Sequence, residues 1–192
     1  MKKLTSTVLL VTGLTAGTIT HAQTVPTANK WYTEVGYLSA RHTAGGFDFD
    51  ANGLRVTLGK EVTPGLAVEG FLVPGTSTGT GSITYDGVKA NYEGKLKSMY
   101  GIYVKPRMKI TESAEIFGRL GFAGTSRDVL VVNSTNPADR ARVSDSGSDV
   151  SYGVGSSIKL TESLSVTLDY MSYYGKSSIK INGYTVGLGY RF

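Results

Sequence analysis

Charged side chains of both signs recur within stretches that otherwise alternate between apolar and small residues. They lie on the small, polar face of each stretch, opposite the apolar residues. A lone buried ion is costly to desolvate, whereas opposite charges joined by hydrogen bonds satisfy one another. We therefore predict that six residues form one polar network: Glu34, Arg55, Glu69, Lys97, Arg119 and Asp169.

Acyl transfer is the catalytic chemistry that we weigh against this structural interpretation. It requires a serine and a base, usually a histidine held by a carboxylate. The chain has two histidines. His21 lies in a leader that we expect to be removed, which leaves His42 in a loop with Ser39, Asp48 and Asp50. A lone loop histidine is more often a surface residue, and no zinc cluster, phosphate loop or dinucleotide motif occurs. We predict that the protein is not an enzyme and binds no metal or cofactor.

The elements that position these residues are best seen in the last stretch, residues 181–192, which reads INGYTVGLGYRF. Alternate side chains of a strand point to opposite sides. One face here carries Tyr184, Val186, Leu188, Tyr190 and Phe192, and the other is small and polar. In a membrane barrel the apolar face meets lipid and the polar face lines the lumen. A soluble, lipocalin-like barrel is the rival fold, and it would need its apolar faces inward.

The same alternation of apolar with small or polar residues recurs along the chain. It predicts about eight strands of roughly 9–12 residues, the length that a tilted strand needs to cross a bilayer. The predicted connections alternate between long, polar loops (41–51, 74–94 and 124–149) and short turns. The short turns share a weak repeat, since Lys-Ile-Thr-Glu-Ser at 109–113 resembles Lys-Leu-Thr-Glu-Ser at 159–163. We therefore predict an all-β fold, an eight-stranded antiparallel up-and-down transmembrane β-barrel, with its short turns in the periplasm.

Residues 1–22 have the features of a secretory signal peptide, with a cationic start, a short apolar middle and the small-x-small exit Thr20-His21-Ala22. The barrel domain is then predicted to span residues 23–192. Removing Lys2 and Lys3 lowers the formal charge from +5 to +3, and no basic cluster predicts nucleic-acid binding. The chain has no cysteine, which excludes a disulfide scaffold.

With this leader, this rhythm and the ending GLGYRF, the mature chain resembles the small eight-stranded outer-membrane barrels. These include the OmpA transmembrane domain, OmpX-like proteins and the porin-like group with an outer membrane protein beta-barrel domain. The resemblance implies location in the Gram-negative outer membrane. It also implies that Tyr190 and Phe192 belong to a C-terminal insertion signal read by the barrel-assembly machinery.

The expected function is an envelope-structural or surface-interaction role, adhesion-like, with a lumen plugged by the charge network. The alternative is a narrow, low-conductance porin for ions or small solutes. A lipid A-modifying enzyme is a third, weaker hypothesis. Partners are expected to be outer-membrane lipid and lipopolysaccharide, with a ligand at loops 74–94 and 124–149. Arg127, Arg140 and Arg142 are candidates for contact with lipopolysaccharide phosphates, but the simpler interpretation, a solvated loop with scattered charges, is favoured over that contact.

Overall fold

The computed structural model describes residues 30–45, 47–85, 88–133, 140–176 and 178–192. The predicted signal peptide, residues 1–22, lies outside these ranges. Within them the chain forms nine β-strands, and none of the described segments is a helix long and apolar enough to span a membrane. The strands are β1 (Trp31–Ala44), β2 (Phe47–Thr63), β3 (Leu66–Val73), β4 (Gly79–Tyr85), β5 (Val88–Lys109), β6 (Ala114–Asn133), β7 (Arg140–Lys159), β8 (Leu164–Lys176) and β9 (Ile179–Arg191).

All pairings are antiparallel, and the sheet closes on itself. The order runs β3-β2-β1-β9-β8-β7-β6-β5, and β3 then pairs with β5. β3 and β4 share one position beside β5, since β3 pairs with residues 99–106 and β4 with residues 88–94. The wall is therefore that of an eight-stranded barrel, as the strand rhythm predicted.

The faces of the strands have the orientation expected in a membrane. Aliphatic side chains such as Leu58, Leu120 and Val154 point outward, and Val154 is 66% exposed. Arg55 and Glu34 point inward, and Arg55 is only 4% exposed. A soluble barrel would need the opposite arrangement, so the lipocalin-like rival is wrong.

The short turns lie together at one end of the barrel, and the repeated Thr-Glu-Ser sequences build two of them in the same way. The Thr111 hydroxyl accepts a hydrogen bond from the amide of Ala114 at 2.9 Å, and the Thr161 hydroxyl accepts one from that of Leu164 at 3.0 Å. The third turn has Gly65 at φ 113°, a conformation that favours glycine. Short turns mark the periplasmic end of such barrels.

At the other end, the predicted loops are largely strand. The segments 41–51, 74–94 and 124–149 mostly continue β1, β2, β5, β6 and β7 or form β4. The loop predictions there were wrong, apart from the expectation that parts of 124–149 lengthen a hairpin beyond the membrane. The reason is packing, because inward side chains such as Phe49, Tyr92 and Leu96 continue to bury one another above the membrane.

Candidate functional site

Arg119, on β6, is the centre of a buried charge network inside the barrel. Its Nε lies 2.5 Å from an oxygen of Glu69, its Nη1 2.6 Å from Asp169, and its Nη2 2.7 Å from Glu34. One guanidinium thus binds three carboxylates from β1, β3 and β8. Its planar set of donors allows several fixed hydrogen bonds at once.

Two further cations complete the network. Arg55 makes a two-pronged contact with Asp169 and donates to the Tyr173 hydroxyl at 2.8 Å. Lys105 Nζ lies 2.8 Å from Glu34 and 2.9 Å from Glu69.

Aromatic side chains border the charges. The Tyr32 hydroxyl donates to Glu69 at 2.7 Å. The Phe117 ring lies under both Lys105 Nζ, at 4.2 Å from its centroid, and the Arg119 guanidinium carbon, at 4.7 Å. Such cation–π contacts stabilise the two cations where they are shielded from water.

Six different strands each contribute one charge, so the network ties the barrel across its diameter. The three acids are Glu34, Glu69 and Asp169, and the three cations are Arg55, Lys105 and Arg119. Equal charge and dense hydrogen bonding are the conditions under which buried ions are tolerated, while loss of one partner leaves an uncompensated charge.

Glycines make room for this network. A Cβ atom on Gly59 would lie 2.2 Å from Cζ of Tyr32, and one on Gly155 would lie 2.5 Å from Cζ of Phe117. At each position, the aromatic ring occupies the space into which the Cβ atom of any residue other than glycine would project. The small inward positions are thus required by the large side chains on neighbouring strands.

The structure places five of the six predicted residues in the network and excludes Lys97. A β-bulge between Leu96 and Ser98 reverses the alternation of β5. Leu96 consequently points inward, while the Lys97 side chain is 51% exposed and lies 3.6 Å from Asp128. Lys105 was missed, although its alternation with the inward Tyr103 could have identified it.

Above the charge network, the lumen is apolar. This part, which we call the cap, is a cluster of buried side chains toward the extracellular end: Leu38, Ala40, Phe49, Ala51, Phe71, Val73, Tyr92, Leu96, Met99, Tyr103, Ala123, Met171, Tyr173, Tyr174 and Ile181. Leu38, Met99 and Met171 are fully buried. Sequence reasoning placed Tyr103 in the lumen and Phe71 on the same face as Glu69, but it otherwise assigned polar and small side chains there and missed this second layer.

Two residues predicted to lie in surface loops are buried against the cap. His42 is 2% exposed and stacks on Phe49, with ring centroids 4.6 Å apart. Arg127 also points inward, where it pairs with Asp145 and lies over the Tyr174 ring at 4.9 Å. The expected contact of Arg127 with lipopolysaccharide is therefore wrong, whereas Arg140 and Arg142 are exposed.

The residues considered for acyl transfer do not come together. His42 points inward, while Ser39 is exposed on the other face of the same strand. Asp50 is also outward, where Arg41 Nε donates to it at 2.8 Å and holds the pKa of its carboxyl below the usual value. Among the described residues, no group of three or more His, Cys, Asp or Glu side chains is arranged to hold a metal.

Aromatic rings mark the two edges of the outward apolar belt. Tyr37, Tyr100, Tyr170 and Tyr184 lie toward the extracellular end, and Tyr170 and Tyr184 pack at 4.6 Å. Trp31, Tyr190 and Phe192 lie at the periplasmic end. Amphipathic rings favour the headgroup level, so these residues indicate where the membrane begins and ends.

Comparison with known proteins gives the same assignment. The family described as "Outer membrane protein beta-barrel domain" matches residues 6–192. The virulence membrane protein PagC of Salmonella typhimurium is 27% identical over 121 residues, which cover 62% of this chain and 63% of PagC. The chain therefore matches less than two thirds of that relative.

Solved structures share the fold. Ail of Yersinia pestis is 17% identical, with a TM-score of 0.58, and the match covers 85% of this chain and 99% of Ail. Neisserial surface protein A is 11% identical, with a TM-score of 0.56, and the match covers 84% and 97%. At these identities the likeness shows the fold alone. From the family match and the geometry together, the chain belongs to the outer membrane protein beta-barrel domain family and is an integral barrel of the outer membrane with a role at the envelope or cell surface.

Proposed function

We propose that this protein is a closed barrel that acts through its extracellular end, as a surface-interaction protein rather than a porin. The observation that carries the proposal is the double filling of the lumen. The charge network occupies the membrane level, and the buried apolar cap lies above it. An eight-stranded barrel has an interior just wide enough for side chains to fill, so the two layers leave no continuous path for ions.

Recording from planar bilayers tests the closed lumen. We expect the purified full-length barrel to give no discrete conductance steps under conditions in which a trimeric porin, added as a positive control, gives them. Steps that disappear in Arg55→Met or Glu69→Gln would instead support the alternative of a narrow pore lined by these residues.

The extracellular end offers a rigid binding surface. β7 pairs with β6 along its whole length, but with β8 only from Tyr152 to Lys159. Residues 140–151 of β7 therefore have no backbone ladder on that side among the described residues, although the side chains of Asp149 and Ser151 still hydrogen-bond to Gly175 and Ser172 of β8. Open edges bind extended partners through backbone hydrogen bonds. The exposed Arg140 and Arg142 on this strand add positive charge.

We infer that this part of β7 contacts polyanions such as sulfated polysaccharide or lipopolysaccharide phosphate. The structural neighbour Ail has been crystallised in complex with the heparin analogue sucrose octasulfate, and the two exposed arginines of this strand, Arg140 and Arg142, have the charge to contact a similar ligand. Retention on heparin-agarose in detergent measures the interaction. We expect Arg142→Ser to weaken binding about fivefold, or ~1 kcal/mol, as for an exposed ion pair.

Lys109→Ser is the matched control, since it removes a cation at the periplasmic end, and it should leave retention unchanged. Equal losses in the two variants would mean that only net charge matters, and the proposed site would be wrong. Separate columns carrying lipopolysaccharide or heparin distinguish the two sources of polyanion.

Two further proposals complete this function. We infer that the protein is not a lipid A-modifying enzyme, because Ser39 and His42 face opposite sides of the wall. Mass spectra of lipid A from expressing cells should show no deacylation, and deacylation that His42→Ala abolishes would contradict this.

We also propose that Tyr190 and Phe192 form the signal recognised by the barrel-assembly machinery.

A further inference from the structure

His42 is a titratable group inside the extracellular part of the barrel, about five residues beyond the Tyr37 girdle on β1. At roughly 3.3 Å per residue and the tilt of barrel strands, this is about 12 Å above the belt. Its neighbours across the strands are Phe49 on β2 and Ile181 on β9, both buried. Neither ring nitrogen makes a hydrogen bond to any residue that the structure describes, although His42 is only 2% exposed.

The packing of His42 suits a neutral ring. It stacks nearly parallel on Phe49, at an interplanar angle of 18°. A neutral imidazole fills this position as a flat, largely apolar group. An imidazolium would carry two N–H donors into a site where, among the described residues, neither ring nitrogen makes a well-formed hydrogen bond and only the Phe47 carbonyl on β2 lies in reach as a partial acceptor, and a poorly satisfied buried charge is strongly unfavourable.

The charges around His42 do not compensate a proton. The buried cation facing it is Arg127 on β6, which repels an imidazolium, and the carboxylate nearest to that cation, Asp145 on β7, is already paired with it. Asp48, on β2, favours protonation but is exposed. The other titratable groups described near this end of the packed elements are outward or phenolic, and they include Asp50 on β2, Lys180 on β9, Tyr92 on β5 and Tyr174 on β8.

Burial first, and Arg127 second, lower the pKa of His42 below its usual value, while the Phe47 carbonyl and Asp48 oppose the shift in part. A group whose pKa is lower in the closed state than in the open state binds more protons when open. Closure is therefore fully favourable above the ordinary value near 6.5 and weakens as the pH falls below it. The free energy of closure stops changing once the pH is below the pKa that His42 has in the closed state.

We propose that His42 is an acid-sensitive latch on the cap. At neutral pH, its uncharged ring holds the ends of β1, β2 and β9 against the apolar cluster. In mildly acidic surroundings, its protonation opens this end of the barrel. The charge network below is unaffected, so the extracellular surface changes while the membrane-spanning wall stays closed.

Hydrogen exchange of the full-length barrel in nanodiscs tests the latch. His42→Phe keeps the stack on Phe49 but cannot be protonated. At each pH between 7.5 and 5.5, wild type and variant are compared, so that intrinsic exchange rates cancel. We expect exchange of residues 38–52 to rise in wild type relative to the variant by up to about tenfold at pH 5.5, the limit for one proton over one pH unit.

In strands at the periplasmic end, such as residues 114–119, the ratio of the wild-type exchange rate to that of His42→Phe should be the same at all pH values. His21, the other histidine, lies in the leader that we expect to be removed, so His42 is the histidine that titrates in the mature barrel. The proposal is overturned if wild type and His42→Phe have the same pH dependence.

A second measurement keeps the test decisive if His42→Phe fails to fold. Imidazole resonances of the wild-type barrel report the titration of His42 directly. An imidazole that remains neutral well below pH 6.5 supports the latch. One that titrates at or above pH 6.5 refutes it, because the closed cap would then accept the proton without penalty.

Discussion

Replacing Arg119 with methionine should destabilise the barrel more than any change at an exposed ion pair. The methionine fills a similar volume, but the three carboxylates lose their common partner. Arg55 and Lys105 then face Glu34, Glu69 and Asp169, which leaves one uncompensated negative charge among these residues. Glu69 and Asp169 have fully buried side chains and cannot gain water without moving the wall.

The magnitude follows from the cost of an unpaired buried ion. Removing one member of a buried ion pair costs roughly 3–5 kcal/mol, most of it from the partner left behind. Arg119→Lys should cost less, about 1–3 kcal/mol. It keeps the charge, but a single ammonium cannot reproduce the planar contacts with three carboxylates.

Urea unfolding in lipid vesicles, followed by fluorescence of Trp31, the single tryptophan, measures these differences. Lys97→Met is the matched control, because it makes the same cation-to-methionine change at a half-exposed lysine whose Nζ lies 3.6 Å from Asp128. Its expected cost is about 0–1 kcal/mol. If Arg119→Met and Lys97→Met differ by less than about 0.5 kcal/mol, the network does not stabilise the barrel in the way argued here.

Three further predictions concern packing, the extracellular end and assembly. Gly59→Ala should destabilise the barrel by about 1–3 kcal/mol because its Cβ overlaps a tyrosine ring, whereas Gly118→Ala, whose nearest contact would be 3.7 Å, should be neutral in the same urea assay. Tyr92→Phe removes two hydrogen bonds to the Asp48 backbone, at 2.7 and 3.0 Å. It should cost about 1–2 kcal/mol of local stability, and unchanged hydrogen exchange at the tip of β2 would contradict this. Phe192→Ala should slow assembly of the barrel in cells several-fold without changing its unfolding free energy, and an unchanged rate in pulse-chase gels would argue against the insertion signal.

The membrane wall was predictable because its signal is local. Side chains alternate along a strand, so every second residue lies on the same face. The face with small and charged residues must point into the lumen of a membrane barrel, and the apolar face must then contact lipid. Glu34, Arg55 and Arg119 were therefore placed inward without knowledge of any neighbour. The Thr-Glu-Ser turns were equally readable, since each uses its own threonine hydroxyl.

Register changes were not predictable from the pattern. The bulge at Leu96 and Ser98 adds one residue to β5, so that counting from either end gives opposite faces. This single residue moved Lys97 outside, while the third cation is Lys105, which alternates with the inward Tyr103 beyond the bulge. The pattern also failed above the membrane, where Gly, Ser and Asp were interpreted as loops. Those segments are strands because Phe49, Tyr92 and Leu96 pack against residues far away in sequence.

By itself, the amino-acid sequence determined the architecture. Local alternation gave the eight strands of the wall, the outward apolar and inward polar faces, the short turns and most of the inward charges. The tertiary structure decided which charges meet and what lies above them. Arg119 reaches carboxylates 50 and 85 residues away, and His42 is buried by partners on other strands. Such contacts depend on closure of the sheet, which brings the two ends of the chain together, and no local pattern encodes those distances.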